Sequence, residues 1–185
     1  MAIITVTTTA DETTDNGETS LREAAAISRD NGEPDTILFA GSIGSGPLRL
    51  TQGTDIAFGG AVTIEGPVDA NGEPTLVISG DAAGDDTLDP EGMTDLDATP
   101  DRALDDNTRI FTFVNANATV SNLKLTGGRV FSEDAGGGVV FPGEGGAIFA
   151  EGRVTIDNSI LAGNSAAGGG LGGAVHVIPD ATQNG

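Results

Sequence analysis

Five carboxylates stand close together near the middle of the chain, at Asp81, Asp85, Asp86, Asp89 and Glu91. Carboxylate oxygens are the hard ligands that Ca²⁺ prefers, so this segment is the candidate metal site of the sequence. The spacing matches neither the EF-hand loop nor the glycine-rich nonapeptide repeat that binds calcium. The alternative is a solvated acidic loop that holds no ion, and the sequence leaves both interpretations open.

Glu65 and Asp157 form a second candidate pair, because each follows a β-like alternation and stands just before a turn. Glycoside hydrolases need two or three carboxylates at a fixed separation on one face. The same positions also suit outward-facing turn residues that only contact water. The chain has no Trp and no Tyr, so the usual aromatic platforms for sugar rings are missing.

Basic and nucleophilic groups offer little for catalysis. Lys124, the only lysine, alternates with two leucines as a solvent-facing strand residue does. His176, the only histidine, lies between two valines and is expected to point outward. No Ser or Cys stands in a recognisable nucleophile motif, so the sequence predicts no catalytic residue and no organic cofactor.

The composition excludes several classes of partner. The chain has 185 residues, 29 of them glycine, no cysteine and a net charge of −20. A field of that sign repels phosphate and anionic lipid, so neither nucleic acid binding nor membrane insertion is expected. Abundant acids with scarce lysine and aromatic residues indicate a marine or salt-adapted source.

The local patterns predict many short strands and one helix. Ser20 and Glu23 form a capping box that begins a helix over residues 21–28, and Arg22 beside them is assigned a structural role. Residues 81–107, with ten acids, and the glycine-rich residues 129–143 read as surface insertions. The expected strands cover residues 3–9, 35–39, 48–50, 56–58, 61–65, 75–79, 109–114, 119–126 and 174–178.

A repeated phrase indicates how these strands are arranged. Gly145-Gly146-Ala147-Ile148 returns 27 residues later as Gly172-Gly173-Ala174-Val175. Such a period predicts that one coil of backbone stacks on the next. Asn122 and Asn158 follow equivalent apolar alternations, so we expect them to occupy one turn position and to hydrogen-bond down the stack.

Two stretches resemble known families of exported bacterial proteins. Thr19-Ser20-Leu21-Arg22-Glu23-Ala24 resembles the CSLREA motif, with Thr19 in place of the family's cysteine, and Asp35-Thr36-Ile37-Leu38-Phe39 fits its usual continuation. The Gly145–Ile148 phrase, paired with Leu161-Ala162-Gly163-Asn164, resembles the repeat of polymorphic outer membrane proteins. Both resemblances imply a right-handed parallel β-helix with a helical N-terminal cap.

We therefore predict an all-β fold, a right-handed single-stranded parallel β-helix like that of pectate lyases, with a short N-terminal capping α-helix. It forms one domain over residues 1–185. That domain contains the N-terminal strand and cap (1–34), the first coils (35–80), the acidic insertion (81–107) and the later coils (108–185), whose C-terminal end is expected to be open or truncated.

The functional prediction is a non-catalytic structural or adhesin-type module, the N-terminal part of a larger secreted or cell-surface protein whose export signal lies outside this chain. The alternative is a polysaccharide lyase or glycoside hydrolase of the same fold. The partners expected are a second copy, bound through the open C-terminal coil, and a cell-surface or glycan ligand. Calcium is the ion for which the sequence suggests a site, and no other cofactor is expected.

Overall fold

Over the residues that the structure describes, the protein is mostly β-structure with one short helix, as predicted. The computed structural model describes residues 1–43, 46–84, 87–89, 92–94, 106–131, 133–134, 140–141, 143–167 and 172–179. The elements of these residues are β1 Ala2–Val6, α1 Leu21–Asn31, β2 Asp35–Phe39, β3 Leu48–Arg49, β4 Ile56–Glu65, β5 Leu76–Ser79, β6 Thr87–Asp89, β7 Gly92–Thr94, β8 Phe111–Ser121, β9 Leu123–Thr126, β10 Arg129–Phe131, β11 Glu133–Asp134, β12 Val140–Phe141, β13 Ile148–Asp157, β14 Ile160–Ala162, β15 Ser165–Ala167 and β16 Val175–Ile178.

Parallel pairing dominates the sheets. Six strands form one sheet in the order β1-β2-β4-β8-β13-β16, and four form another in the order β14-β9-β5-β3. Strands β10 and β15 form a third, two-stranded parallel sheet. From β2 onward the chain places a strand in the six-stranded sheet and then one in the four-stranded sheet, four times over. We call each such segment a coil.

The register aligns apolar residues of successive coils in columns. Ile37 pairs with Ile64, Ile64 with Val120, and Val120 with Ile156. Because successive side chains of a strand point to opposite faces, one face of each strand supplies the core between the sheets. The core also holds three phenylalanine rings whose centroids lie 5.6–5.9 Å apart, those of Phe58, Phe111 and Phe113.

The two Gly-Gly-Ala phrases lie side by side, directly before the neighbouring strands β13 and β16, which confirms the stacking predicted from their repetition. The amide of Gly146 donates to the carbonyl of Gly173, and that of Ala147 to Ala174, each at 2.8 Å. A Cβ atom on Gly146 would stand 2.4 Å from the carbonyl oxygen of Ser165. Glycine is required here because backbones approach too closely for any side chain.

Several predicted strands had wrong boundaries. The predicted strands 56–58 and 61–65 form a single strand, β4, which bends at Gly60 with φ +71°. Strand β8 likewise continues through Asn115, where φ is +49°, and stops at Ser121. The register shifts at both places, because a β-bulge bends a strand without ending its pairing.

Helix α1 begins at Leu21, as predicted, and ends three residues later than the predicted Ser28. The amide of Glu23 donates to Ser20 Oγ at 3.1 Å, and the amide of Ser20 donates to the Glu23 carboxylate at 2.8 Å. Gly32 ends the helix in the left-handed conformation. The helix packs on β4 through a buried apolar side formed by Leu21, Ala24 and Ala25.

The two predicted insertions contain regular structure. Within residues 81–107, β6 and β7 pair antiparallel. Within residues 129–143, β11 and β12 do the same. The predicted second insertion wrongly included the residues of β10. This strand pairs parallel with β15, so it belongs to the stacked coils and forms a third sheet beside the other two.

Candidate functional site

Asp81 is the one predicted calcium ligand whose side chain lies within the described residues. It is 5% exposed, and its carboxylate lies 3.6 Å from Arg49 Nη1. The amide of Gly84 donates to the same carboxylate at 2.5 Å, so Asp81 closes a turn at the end of β5.

The rest of the predicted calcium site, Asp85, Asp86, Glu91 and the side chain of Asp89, lies outside the described residues. Among the residues that the structure does describe, no group of three possible metal ligands is found. Calcium binding by this segment stays a prediction.

Glu65 and Asp157 occupy equivalent positions, as the sequence indicated. Both pair with Ser121, one from each side, so the two carboxylates belong to one column of the six-stranded sheet. Two strand spacings separate them, about 9–10 Å between backbones. Both residues are exposed, whereas a glycosidase needs one carboxyl group in a pocket that keeps it protonated.

Lys124 points away from the core, as predicted. Its neighbours Leu123 and Leu125 are both 0% exposed, while Lys124 lies on the opposite face of β9. The alternation assigns this lysine to the outer surface of the four-stranded sheet.

The described structure gathers a set of polar and aromatic side chains on the outer face of the six-stranded sheet. Three of them, Thr112, Phe149 and His176, share one register column across β8, β13 and β16. The ring of His176 stacks on that of Phe149 with an interplanar angle of 9°, and Nε2 lies 3.7 Å from the carboxylate of Glu144. We call the full set the outer-face cluster, which comprises Asp55, Arg109, Thr112, Glu144, Phe149 and His176.

Arg109 is the centre of this cluster, and its donors are turned toward the protein. Nε donates to the carbonyl of Gly145 at 3.1 Å, and Nη2 donates to that of Glu144 at 2.8 Å. Nη1 donates to Thr112 Oγ1 at 3.1 Å and lies 3.7 Å from the carboxylate of Asp55. The guanidinium also covers the Phe149 ring at 5.1 Å from its centroid.

Burial lowers the pKa of Arg109 below its ordinary value, and the charges of Asp55 and Glu144 oppose that shift. A guanidinium keeps its proton at neutral pH in spite of such a shift. Arg109 is therefore a cation that donates three hydrogen bonds to neighbouring parts of the chain.

Arg22 makes the same kind of contact at the N-terminal end, which confirms its predicted structural role. It binds the Asp11 carboxylate through Nε at 2.6 Å and Nη2 at 3.1 Å. It also donates to the carbonyls of Asp55 at 3.0 Å and Thr54 at 2.8 Å. The Arg22 guanidinium thus ties the cap to the strand that follows.

Arg22, Arg49 and Arg109 form what we call the arginine clamps. Each binds a carboxylate and at least one backbone carbonyl of a neighbouring segment of the stack. The clamps at Arg49 and Arg109 were not predicted from the sequence. The partners of Arg109 at residues 144 and 145 stand 35 and 36 positions away in the sequence. Predicting these contacts would require knowing how many residues one coil contains.

Comparison with known proteins finds no matching family model, no matching curated protein and no matching solved structure. The described part of the chain contains no helix long and apolar enough to cross a membrane. The fold and the cluster together define a mostly β protein of stacked parallel strands held by arginine clamps.

Proposed function

We propose that this chain is a non-catalytic structural module, a right-handed single-stranded parallel β-helix. Its strands are laid down alternately in two parallel sheets, as a β-helix requires. The right-handed sense is supported by the strong preference of parallel crossovers for that hand. The hydrogen bond between Asn158 and Asn122 supports a repeated turn at the same corner of successive coils.

The observation that carries this proposal is the use of the arginine clamps. In the pectate-lyase-like alternative, an arginine or lysine must reach a substrate carbon as a base. Arg22, Arg49 and Arg109 instead direct their donors to carboxylates and carbonyls of the chain itself. These contacts stabilise the junctions between segments.

We further propose that the module belongs to a larger secreted or cell-surface bacterial protein, where it holds other parts away from the cell or presents loops. The resemblance to the CSLREA motif supports this location. Three residues of that resemblance, Ser20, Arg22 and Glu23, build the capping box and the first clamp. The net charge of −20 suits a protein that stays soluble in salt.

A polysaccharide assay separates this proposal from its alternative. The chain is incubated with a panel of acidic and neutral polysaccharides, and products are followed by the absorbance of unsaturated uronates and by reducing ends. We expect no turnover with or without calcium. Arg109→Ala serves as the matched variant, and a structural clamp predicts a lower free energy of unfolding for it. Turnover by the unmodified chain would establish a lyase or hydrolase, and its loss in a variant that stays folded would place Arg109 in the site.

A further inference from the structure

One corner between the two large sheets is built differently in the second coil than in the two coils that follow. The register of β4, β8 and β13 places Gly66, Asn122 and Asn158 at one corner position. In the third coil β9 follows Asn122 directly, and in the fourth only Ser159 separates Asn158 from β14. In the second coil, residues 67–75 separate Gly66 from β5. The second coil therefore has an insertion at a corner where the next two coils have a tight turn.

This insertion is a loop held in shape by its own hydrogen bonds, and we call residues 67–75 the corner loop. The Oδ1 atom of Asp69 accepts from the amides of Asn71 and Glu73 at 2.8 and 2.9 Å. The amide of Asp69 donates to the carbonyl of Glu73 at 2.9 Å, and the amide of Gly72 donates to the carbonyl of Asp69 at 3.0 Å. These bonds fix the position of the Gly72 carbonyl at the tip of the loop.

The tip of the corner loop contacts the fourth coil. Asn158 Nδ2 donates to the carbonyl of Gly72 at 2.8 Å and to the Oδ1 atom of Asn122 at 2.7 Å. A side-chain amide carries two hydrogens, so Asn158 makes one bond with each. The bond to Asn122 joins neighbouring coils. The bond to Gly72 joins residues 86 positions apart, on coils that have the third coil between them.

A contact of this reach departs from the usual behaviour of stacked coils. In solenoid proteins each repeat contacts only its neighbours, so one repeat can open without disturbing those farther away. Two backbone bonds at this corner follow that rule, since the amide of Gly66 donates to Ser121 and the amide of Asn122 to Asp157. The bond between the corner loop and Asn158 adds a link between second neighbours.

We infer that the corner loop is a clasp that couples the opening of the fourth coil to the second coil. This inference rests on the stacked coils of the proposed function and adds a conformational device to them. When the fourth coil opens, it must break its bond to Gly72 as well as its pairing with the third coil. The clasp therefore reduces the population of states in which the fourth coil alone is open. Because such coupling is reciprocal, loosening the loop must make the fourth coil open more often.

Native-state hydrogen exchange measures this coupling, because the exchange of a protected amide reports how often its segment opens. The amides of β14 report on the fourth coil. Asp69→Ala removes the acceptor that shapes the corner loop and leaves every residue of the fourth coil unchanged. We expect exchange in β14 to become about five-fold faster, as the loss of one hydrogen bond predicts.

Glu73→Ala is the matched control for this substitution. It removes an exposed carboxylate from the same loop, but it keeps the backbone amide that donates to Asp69. Exchange in β14 should stay as it is in the unmodified chain. The control thus separates the shape of the loop from its charge.

Two glycine variants identify the bond that transmits the effect. Asn122→Gly and Asn158→Gly both fit the positive φ at their positions, and both lose the bond between the two asparagines. Only Asn158→Gly also loses the bond to Gly72. Asp69→Ala should therefore no longer change exchange in β14 when it is combined with Asn158→Gly, and it should still do so when it is combined with Asn122→Gly. Such non-additivity is what a coupled pair of sites produces.

Three results would overturn the clasp. Exchange in β14 that is unchanged in Asp69→Ala would show that the corner loop moves independently of the fourth coil. An equal increase in the Asn158→Gly background would show that the effect does not pass through the bond to Gly72. An equal increase in Glu73→Ala would assign the effect to charge. The measurement uses no polysaccharide, so the clasp can fail while the proposed function stands, and turnover in the polysaccharide assay would leave the clasp unaffected.

Discussion

Asn158 donates its side-chain amide to the Oδ1 atom of Asn122 at 2.7 Å, across two turns that stand 36 residues apart in sequence. Both residues have left-handed backbones, with φ of +40° and +58°. Asparagine suits this position because it tolerates that conformation better than other residues with a side chain, and because its amide donates and accepts along the stack. The predicted ladder is therefore confirmed at this pair.

Two substitutions at Asn122 separate the backbone from the hydrogen bond. Asn122→Gly loses the side-chain contact but fits φ of +58° without strain. Asn122→Ala loses the contact and keeps a Cβ atom in the left-handed region without the polar side chain that makes this conformation tolerable, at a cost of about 1–2 kcal/mol. We expect urea denaturation to give Asn122→Ala a lower free energy of unfolding than Asn122→Gly. Equal values for the two variants would show that the left-handed backbone at residue 122 does not affect stability.

The sequence predicted the features that repeat and the local capping box of helix α1, and missed contacts that form only after the coils have stacked. The Gly-Gly-Ala phrases and the pair Asn122 and Asn158 recur with the coil, so their equivalence is visible as a period. The partners of Arg109 have no counterpart elsewhere, since Asp55, Thr112 and Glu144 meet it only after the coils have stacked. The predicted strand break near Gly60 was wrong, because a glycine that bends a strand and a glycine that ends one look alike in the sequence.

Arg22 and Asp11 give the next prediction. Their side chains are 15% and 1% exposed, so removing one leaves the other buried without its partner. Arg22→Ala should lower the free energy of unfolding by about 3 kcal/mol, the usual cost of breaking such a pair. Arg22→Lys keeps the charge but loses the forked geometry, so we expect an intermediate value. Urea denaturation measures both, and a value for Arg22→Ala close to that of the unmodified chain would contradict the clamp.

A substitution at Asp81 distinguishes a structural role of this carboxylate from a metal-binding role. Its carboxylate faces Arg49 and the amide of Gly84, so Asp81→Asn should destabilise the chain by about 1–3 kcal/mol in a chelator. We expect the same loss in millimolar calcium. A stabilisation of the unmodified chain by calcium that Asp81→Asn abolishes would show that this carboxylate leaves Arg49 to bind the ion.

A substitution at Gly66 tests how closely two neighbouring coils approach. A Cβ atom there would lie 2.2 Å from the backbone oxygen of Asn122 in the next coil, and φ at Gly66 is not positive. Gly66→Ala should therefore destabilise the chain by about 1–3 kcal/mol through overpacking alone. Gly46→Ala is the matched control, since nothing lies within 4 Å of its added methyl group. Equal thermal midpoints for the two variants would mean that the coils do not approach at Gly66.

Asp69 provides a prediction for the dependence of stability on pH. The amides of Glu73 and Asn71 donate to its Oδ1 atom at 2.9 and 2.8 Å. These bonds, that from Glu73 first, lower the pKa of Asp69 below its ordinary value of 3.8. A carboxyl group with a depressed pKa in the folded state stabilises the fold above its unfolded pKa. That contribution is lost as the pH falls through the folded pKa.

Asp69→Asn keeps an oxygen that accepts both amide bonds and removes the titration. Above about pH 5 the unmodified chain should be the more stable of the two, because the carboxylate is ionised in both states and binds the amides more strongly. Below the folded pKa the difference should shrink, since Asp69 is then protonated whether folded or unfolded. Urea midpoints for both proteins across the acidic range measure this difference. Because the other carboxylates are common to both chains, a difference that stays constant as the pH falls would show that the turn does not depend on the charge of Asp69.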